Sequence, residues 1–391
     1  MGSIKFKDKK DMILAINALR SRSGGAKSHL VGILSNLEPC KYKISFIHIW
    51  GYQELLDMLP NESWLIKHCP ESTNKSIAFQ LIWERYYLKK EIRLNKCNFL
   101  LNTDAGTTCR FKPSTTMSRD MLSYEPGEMQ RYGFSMSRIR LSILKWVQNR
   151  SLTNSTSAIF LTNYASKVIQ NSCGSIKNFV IVPHGVSLNF EFKDTIYRKF
   201  PLNNDFIKCL YVSNADLYKH QWVVIKAIEI LRNKGYKIKL DLIGGGEGRA
   251  QAKINRQMAI SDPNGLYVKQ YDYLSQKDLP LYYKRSDISI FASSCENMPN
   301  TLIEAMSSGL PIACSNRGPM PEVLLDAGIY FNPEDALSIA DAIENIINNE
   351  NIRFDLSKKA VNYSKKYSWP RCAHETFSHI VDVYQTIKQK I

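Results

Sequence analysis

Two glutamates, Glu296 and Glu304, follow a short apolar run in the C-terminal half of the sequence. The apolar run, Ile288–Phe291, predicts a strand, and the stretch from about Thr301 to Gly309 predicts a helix. In open α/β sheets, ligands bind beyond the carboxyl ends of the strands, where the first turn of a helix offers unpaired N–H groups. Two carboxylates at such a place suit the hydroxyl groups of sugar rings, and the helix N-terminus suits a diphosphate.

Each glutamate also has a purely structural interpretation. Thr301 and Glu304 match the spacing of a helix-capping box, in which the glutamate only satisfies the backbone N–H of the N-cap residue. Glu296 considered alone is a loop carboxylate, and such groups are more often solvated than functional. The residues alone leave both interpretations open.

The whole segment resembles the E-x7-E signature and the EAM-x-SGLP stretch of the retaining glycosyltransferases of family 4, which have the GT-B fold. The similarity is specific over about residues 205–370 and continues in four shorter segments, residues 242–247, 281–287, 318–323 and 327–333. The resemblance implies that Glu304 binds the ribose of a nucleotide-sugar donor and that Glu296 positions the transferred sugar. It also implies that the departing phosphate acts as the base. The remaining donor-binding residues that it implies in this region are Met298, Pro299, Asn300, Thr301 and Gly244.

A second element of this family usually reads G-R-x4-K-G, and its arginine and lysine neutralise the leaving diphosphate. Here Ser213 and Asn214 stand where the family has glycine and arginine, whereas Lys219 is in place. A positioned cation is the main help that a site without a metal gives to a departing diphosphate. Asn214 removes one cation, and Lys219, His220 and Arg317 are the candidates to compensate.

The N-terminal half offers further candidates. Gly24 and Gly25 follow the first strand as the glycine pair of the family does, which lets the backbone approach the donor diphosphate. Arg119 and Asp120 lie where relatives often carry a His-Asp pair near the acceptor, and His184 lies in a segment that resembles the hinge motif near the donor sugar. The structural alternatives are simple turns for the glycines and for His184, and a surface ion pair for Arg119 with Asp120.

Strand-like apolar runs alternate with helix-length segments through most of the sequence, which is typical of βα units that build parallel sheets. The predicted strands include residues 12–16, 44–47, 99–101, 158–161, 207–212, 238–243, 288–291, 311–314 and 329–331. A chain of 391 residues favours two domains. We therefore predict an α/β protein, and the resemblance specifies a GT-B fold of two Rossmann-like, doubly wound domains facing a central cleft.

The predicted domains are residues 1–185, on the acceptor side, and residues 186–370, which bind the nucleotide-sugar. Residues 371–391 are predicted to form a helix that packs back on the N-terminal domain, and residues 190–204 to form a linker. The glycine-rich residues 244–248 lack the Gly-Lys-Ser/Thr of a phosphate-binding P-loop, so we expect a strand-to-helix turn there.

The net charge of +16 is concentrated in the N-terminal half: residues 1–200 hold 29 Lys and Arg against 15 Asp and Glu, and the rest holds 23 against 21. This asymmetry indicates either an anionic partner or a solubilising surface. Residues 138–150 read as a cationic amphipathic helix with one tryptophan, which either docks on an anionic membrane or packs on a core. No nucleic-acid-reading module is recognisable, and nucleic acid is not expected as a partner.

The nine cysteines are scattered and contain no C-x-x-C pair, and neither a D-x-D motif nor a cluster with metal-ligand spacing occurs. We therefore expect no metal and no cofactor besides the nucleoside-diphosphate-sugar co-substrate. No apolar run is long enough to span a membrane, and the N-terminus does not resemble a signal peptide. The expected location is cytoplasmic, with a peripheral position on the inner face of the cytoplasmic membrane as a variant.

The sequence and the resemblance together predict a glycosyltransferase of the hexosyltransferase type. It would move a sugar, with retention, to a hydroxyl of a glycan or a polyprenyl-diphosphate-linked oligosaccharide, in the assembly of a bacterial surface polysaccharide such as the lipopolysaccharide O-antigen. A GT-B sugar-nucleotide epimerase and a non-catalytic partner that binds nucleotide-sugar or glycan remain as alternatives. A nucleic-acid binder is a third, motivated only by the basic charge.

Overall fold

The computed structural model describes residues 11–192, 200, 205–275 and 277–389. The chain divides into two compact units. Unit 1 consists of Met1–Tyr124, Ser135–Gly185 and Trp369–Ile391, and unit 2 consists of Glu125–Phe134 and Val186–Ser368. Most of the predicted linker, residues 193–199 and 201–204, lies outside the described residues.

The described part of unit 1 forms a parallel sheet with helices between its strands. The strands are β1 (Met12–Asn17), β2 (Ile44–Trp50), β3 (Leu65–His68), β4 (Phe99–Asn102), β5 (Ser114–Met117), β6 (Ser157–Phe160) and β7 (Phe179–Ile181). The helices are α1 (Gly24–Ser35), α2 (Gln53–Met58), α3 (Ile77–Tyr86), α4 (Leu88–Leu94), α5 (Met136–Asn154) and α6 (Asn163–Cys173).

The strand order in this sheet is β3-β2-β1-β4-β5-β6-β7. The chain therefore adds strands on one side of β1, returns, and continues on the other side from β4, which makes the β1/β4 junction a topological switch point. The side-chain amide of Asn17, the last residue of β1, donates hydrogen bonds to Oδ1 of Asn102 at 3.2 Å and to Oγ1 of Thr107 at 3.0 Å. These bonds tie the ends of the two strands together.

Unit 2 contains a second parallel sheet. Its strands are β8 (Ile207–Val212), β9 (Ile238–Ile243), β10 (Val268–Tyr271), β11 (Ile288–Phe291), β12 (Ile312–Ser315) and β13 (Ile329–Phe331). Its helices are α7 (Gln221–Asn233), α8 (Gly248–Ser261), α9 (Leu279–Arg285), α10 (Asn300–Ser307), α11 (Met320–Leu324), α12 (Ala336–Asn348) and α13 (Glu350–Ser364). The order is β10-β9-β8-β11-β12-β13, so the switch point lies between β8 and β11.

The core of unit 2 lies where α7 and α12 cover its sheet. Ile225 and Ile228 of α7, Ile343 of α12 and Leu240 of β9 are fully buried in one cluster. All four residues of β11 are buried, because helices cover both faces of the sheet, and the strand therefore reads as a continuous apolar run.

The last described helix, α14 (Trp369–Lys388), belongs to unit 1 and packs beside α1. A Cβ atom at Gly32 would lie 2.3 Å from Cδ2 of Trp369, so the missing side chain lets the indole ring approach the backbone of α1. The guanidinium of Arg371 donates a hydrogen bond of 2.9 Å to the backbone oxygen of Pro183. Residues 390 and 391 of the predicted C-terminal helix lie outside the described residues.

The predicted α/β architecture with two Rossmann-like parallel sheets is confirmed. The predicted runs in residues 207–212, 238–243, 288–291 and 329–331 agree with β8, β9, β11 and β13 in both bounds. Strand β2 continues to Trp50, beyond the predicted end at residue 47, because His48 breaks the apolar pattern without ending the strand. Residues 125–134 lie within the predicted N-terminal domain, residues 1–185, but they belong to unit 2. In the described part of the chain, no helix is long and apolar enough to cross a membrane.

Candidate functional site

The loops that leave β8 and β11 begin at the switch point of the second sheet. Because β8 and β11 are parallel neighbours, both loops start at the same edge of the sheet. A gap between oppositely wound halves of a sheet is the usual place for a ligand in this architecture. Lys219 lies in the first loop and Glu296 in the second, so the two candidate residues are brought to one place.

The ammonium of Lys219 contacts Oε1 of Glu296 in an ion pair, and each side chain is only 15% exposed. The same Nζ atom lies 5.1 Å from the centre of the Tyr218 ring and 5.9 Å from that of Phe291. The hydroxyl of Tyr211 donates a hydrogen bond of 2.7 Å to the backbone oxygen of Lys219, which fixes the main chain of the loop. A positive charge is thus held at the switch point by aromatic rings and one carboxylate.

Glu304 lies in α10 and is 7% exposed. The hydroxyl of Tyr283 donates to Oε2 of Glu304 at 3.4 Å and to the backbone oxygen of Thr301 at 3.0 Å. The helix begins at Asn300 with Pro299 as its N-cap, and that cap makes no side-chain hydrogen bond. The capping-box interpretation of Thr301 and Glu304 is therefore wrong, because Thr301 lies inside the helix.

The other predicted donor-binding residues of unit 2 surround this pair of loops. Met298 and Pro299 are buried ahead of α10, and Asn300 and Thr301 form its first turn. Ser213 and Asn214 follow β8 directly, and the side chain of Asn214 is exposed.

Gly244 follows β9 with a φ of +107°. A Cβ atom there would lie 2.6 Å from the backbone oxygen of Ser213, so the residue must be glycine for the two loops to touch. The strand-to-helix turn predicted for residues 244–248 is confirmed, since β9 ends at Ile243 and α8 begins at Gly248.

Residues 125–134 contribute to this site, although the sequence did not predict it. The hydroxyl of Ser294, in the loop after β11, donates a 2.6 Å hydrogen bond to Oε1 of Glu128. The hydroxyl of Tyr132 donates a 2.9 Å bond to Oδ1 of Asp216, in the loop after β8. One short segment from the N-terminal half thus holds both loops of the switch point. Its Pro126-Gly127 step indicates a turn, but no sequence signal indicates where the segment packs.

Arg131 of this segment forms ion pairs with two carboxylates. Its guanidinium contacts Oε2 of Glu128 at 2.7 Å and the carboxylate of Glu334 at 2.7 Å and 3.2 Å. These partners hold the pKa of Arg131 above its ordinary value, although burial acts in the opposite direction. The guanidinium of Arg131 is already paired with both carboxylates. Arg131 therefore does not replace the arginine at whose position Asn214 stands.

His220 is buried in the same group of side chains. Its Nε2 atom lies 2.9 Å from Oγ of Ser294. Burial and, next, the charge of Arg131 lower the pKa of His220 to about 4. His220 is therefore neutral at pH 7, and of the three cations that the sequence offered, Lys219 and Arg317 remain. Arg317 is exposed after β12, and its charge contributes to lowering the pKa values of both His220 and Glu334.

In unit 1, Gly24 and Gly25 are the first two residues of α1. Ser23 is the N-cap, and its hydroxyl accepts a hydrogen bond of 3.3 Å from the backbone N–H of Ala26. The helix has no acidic residue in its first turn. Its N-terminal end therefore keeps the positive partial charge that favours an anion.

Arg119 and Asp120 follow β5 and have different neighbours. Burial lowers the pKa of Arg119 to about 10, whereas the charge of Asp104 acts to raise it. Nη1 of Arg119 is buried and has no hydrogen-bond partner among the described residues. Oδ2 of Asp120 accepts a 3.3 Å hydrogen bond from Gln148, and Oδ1 accepts one of 3.1 Å from the backbone N–H of Leu122.

His184 stacks on His29 of α1, with ring centres 4.6 Å apart. Both rings are buried, and Trp369 of α14 lies 6.1 Å from the ring of His184. Burial, then the charges of His184 and Arg119, lower the pKa of His29 well below its ordinary value. His184 is thus part of an aromatic cluster in unit 1, together with the neutral His29.

Comparisons with known proteins bear on the same region. Residues 192–366 match the family model described as glycosyl transferases group 1. The O-antigen chain mannosyltransferase B of Escherichia coli is 29% identical over 169 residues, which make up 43% of this chain and 44% of that protein. The chain thus spans less than half the length of this curated relative.

Two solved structures resemble the whole chain. Sucrose-phosphate synthase from Thermosynechococcus elongatus has a TM-score of 0.73 at 15% identity and covers 97% of this chain and 100% of its own. Anabaena HepE in complex with UDP-glucose has a TM-score of 0.68 at 14% identity, with the same coverage. These likenesses confirm the predicted GT-B fold. The family match includes Lys219, Glu296 and Glu304, and with the names of the relatives it supports a glycosyltransferase.

Replacing Gly244 by alanine tests the contact between the turn after β9 and the loop after β8. We expect Gly244→Ala to lower the free energy of unfolding by about 3 kcal/mol, because the new Cβ meets backbone atoms that have little room to move. Gly248→Ala is the control, since Gly248 also has a positive φ, +71°, but open space around it. It should cost about 1 kcal/mol. Equal losses in urea unfolding would contradict the proposed contact.

Removing the hydroxyl of Tyr132 tests the role of residues 125–134. We expect Tyr132→Phe to increase backbone hydrogen exchange in residues 213–220, measured by mass spectrometry, because Asp216 loses its 2.9 Å partner. Tyr124→Phe removes a hydrogen bond of the same length, to Asn149 in unit 1, and should leave that exchange unchanged. If both variants exchange alike in residues 213–220, the segment does not hold this loop.

Proposed function

We propose that this chain is a retaining glycosyltransferase. It would move a sugar from a nucleoside-diphosphate-sugar to a hydroxyl of a glycan or of a polyprenyl-diphosphate-linked oligosaccharide. The observation that carries the proposal is the largely buried Lys219–Glu296 ion pair at the switch point of the second sheet, within the residues matched by the family model.

The donor nucleotide is assigned to the end of β11 and the start of α10. The first turn of α10 offers backbone N–H groups to a diphosphate, and Glu304 offers a carboxylate to the ribose hydroxyls. Glu304 is almost completely buried next to the Tyr283 hydroxyl, which limits its movement. A carboxylate held in this way selects a ligand by the direction of its hydroxyl groups. Asn300 and Thr301 are proposed to line the diphosphate.

Lys219 is assigned to the leaving group. A departing nucleoside diphosphate gains negative charge in the transition state, and an ammonium that is already in position stabilises that charge without reorganisation. Glu296 keeps this ammonium in place before the donor binds. On binding, the diphosphate would share the ammonium with Glu296, and the released oxygen of Glu296 would accept hydrogen bonds from the sugar hydroxyls.

We propose retention because the segment that holds Glu296 and Glu304 resembles that of retaining glycosyltransferases. Glu296 is assigned to positioning the sugar rather than attacking it, because its carboxylate would accept hydrogen bonds from the sugar hydroxyls. The acceptor hydroxyl would then approach on the face of the leaving phosphate and give its proton to a phosphate oxygen. The charge of the leaving group is assigned to Lys219, Arg317 and the N-terminus of α10, so we propose that no metal is required.

The acceptor is assigned to unit 1. Arg119 has a buried guanidinium nitrogen without a described partner, which suits a phosphate or a sugar oxygen of an acceptor. Asp120 is fixed by Gln148 and would orient the same group.

The name of the Escherichia coli relative supports O-antigen assembly as the pathway. Exposed Ile139, Ile143 and Trp146 on α5 support a peripheral position at an anionic membrane surface.

Thermal-shift measurements with uridine, guanosine and adenosine diphosphate sugars test donor binding. We expect one class to raise the melting temperature, because a ligand that binds only the folded state stabilises it. With that donor and a matching acceptor, Lys219→Met should lower kcat by about 100-fold or more. The anomeric configuration of the product, read by NMR, should equal that of the donor.

Two controls separate chemistry from folding. Lys234→Met removes another ion-paired lysine of unit 2, whose Glu344 partner lies on the surface, and should keep its activity. The double variant Lys219→Met with Glu296→Gln leaves no unpaired buried charge, so it should fold and remain inactive. Equal kcat values for Lys219→Met and wild type would overturn the assignment. An altered sugar formed without acceptor would indicate an epimerase, and binding without turnover a non-catalytic partner.

Arg317→Gln tests the second cation. We expect kcat to fall about tenfold, which corresponds to about 1.4 kcal/mol of transition-state stabilisation. The donor affinity should change less, because the charge of the leaving group grows only in the transition state. Arg256→Gln removes another exposed arginine of unit 2 and is the control. If Arg317→Gln has the same kcat as the wild type, Lys219 is the sole cation of the proposed site.

A further inference from the structure

A cavity of about 300 Å³ lies in unit 1 between α3 and α5. Leu81 and Ile82 of α3 form one wall, and Trp146 and Val147 of α5 form the other, while residues 107–110 close one end. Ile82 is 52% exposed and Trp146 is 62% exposed. The walls are thus apolar and open to solvent, and the volume is at the lower end of the range for ligand pockets, about 300–1,000 Å³.

Hydrogen bonds within the chain fix one side of this cavity. The carboxylate of Glu84, fully buried, accepts from the hydroxyl of Thr107 at 3.3 Å and from the backbone N–H of Thr108 at 3.1 Å. The hydroxyl of Thr108 donates to the backbone oxygen of Leu81 at 2.6 Å. Arg20 pairs with Glu84 at 3.3 Å. Helix α3 and the loop 107–110 therefore form one preorganised wall.

Three arginines, Arg85, Arg110 and Arg150, line the same cavity. In the described part of the chain, none of the three makes an ion pair with a carboxylate. Arg85 and Arg150 lie only over the rings of their neighbours Tyr86 and Trp146, at 5.5 Å and 5.6 Å. The charge of Arg85, then burial, then the charge of Arg150 lower the pKa of Arg110. Arg110 is thus repelled by both Arg85 and Arg150 beside an apolar cavity.

This combination is unusual for a surface that only faces water. Exposed aromatic and aliphatic side chains favour an apolar ligand, and a cluster of arginines without a carboxylate partner favours an anion. Neither free phosphate nor an uncharged lipid would satisfy both features. Ile139 and Ile143 extend the apolar face of α5 away from Trp146 and are 54% and 59% exposed, so an apolar chain longer than the cavity has a surface to follow.

We propose that the cavity between α3 and α5 binds a phosphate-bearing lipid, with its apolar chain against Trp146 and Val147 and its phosphate against Arg85, Arg110 and Arg150. The site lies entirely in unit 1, and its occupation requires no nucleotide-sugar. It goes beyond the proposed sugar transfer, and its test does not depend on turnover.

Isothermal titration calorimetry with farnesyl monophosphate, below the concentration at which it forms micelles, tests the proposal. The wild-type chain should bind it with saturation at one equivalent. Farnesol lacks the phosphate and should bind at least tenfold more weakly. Inorganic phosphate lacks the chain and should displace farnesyl monophosphate only at a concentration more than 100-fold higher. Displacement at equal concentration would overturn the proposal in favour of a simple anion site.

Matched variants locate the site. Arg85→Gln, Arg110→Gln and Arg150→Gln combined should weaken binding at least tenfold, and so should Val147→Phe, which fills the cavity. The control combines Arg249→Gln, Arg256→Gln and Lys358→Gln, which removes the same charge from exposed positions of unit 2. Circular dichroism melting checks that each variant folds. The proposal fails if the Arg85 triple variant binds like wild type, or if the control triple variant weakens binding equally.

Discussion

The ion pair of Lys219 and Glu296 joins the two loops that leave the middle of the second sheet. A buried pair of this kind must recover the hydration that both charges lose, and it does so only when its surroundings hold the geometry. The aromatic ring of Tyr218, the hydroxyl of Tyr211 and the packing of the loop after β11 supply those surroundings. The ion pair is therefore stable only because its surroundings hold this geometry, and the pair in turn helps to hold the two loops together.

The parallel sheet explains why the pair forms at all. Strands β8 and β11 are distant in sequence, yet the reversal of winding direction makes them neighbours with both carboxyl ends at one edge. Loops on either side of that reversal diverge, which leaves room for a ligand. The first sheet has the same reversal between β1 and β4, and there Asn17 fills the junction with side-chain hydrogen bonds rather than with opposite charges.

The sequence predicted those features of the fold and of the site that depend on local patterns of residues. Apolar runs located most strands of both sheets, and the spacing of Lys219, Glu296 and Glu304 along strand-loop-helix segments placed them at strand ends and in a helix. The capping-box interpretation of Thr301 was wrong because the N-cap residue of the helix is Pro299, two residues earlier. The sequence indicated His220 as a further candidate cation, but burial lowers its pKa and makes the ring neutral at pH 7. The anchoring by Glu128 and Tyr132 was not predictable, because such contacts depend on the path of the chain between sheets and not on a repeating pattern.

The path of the chain through residues 125–134 has a consequence for modularity. Unit 2 is assembled from two stretches of sequence, and unit 1 from three, so the chain passes between the units four times. A gene fragment that encodes only residues 186–368 would produce a sheet whose loops lack Glu128, Arg131 and Tyr132. Recombination at one crossover between the halves of two related genes would pair such a sheet with a foreign anchoring segment. A transfer of the complete site between related genes would therefore have to include both residues 125–134 and the sheet that they support.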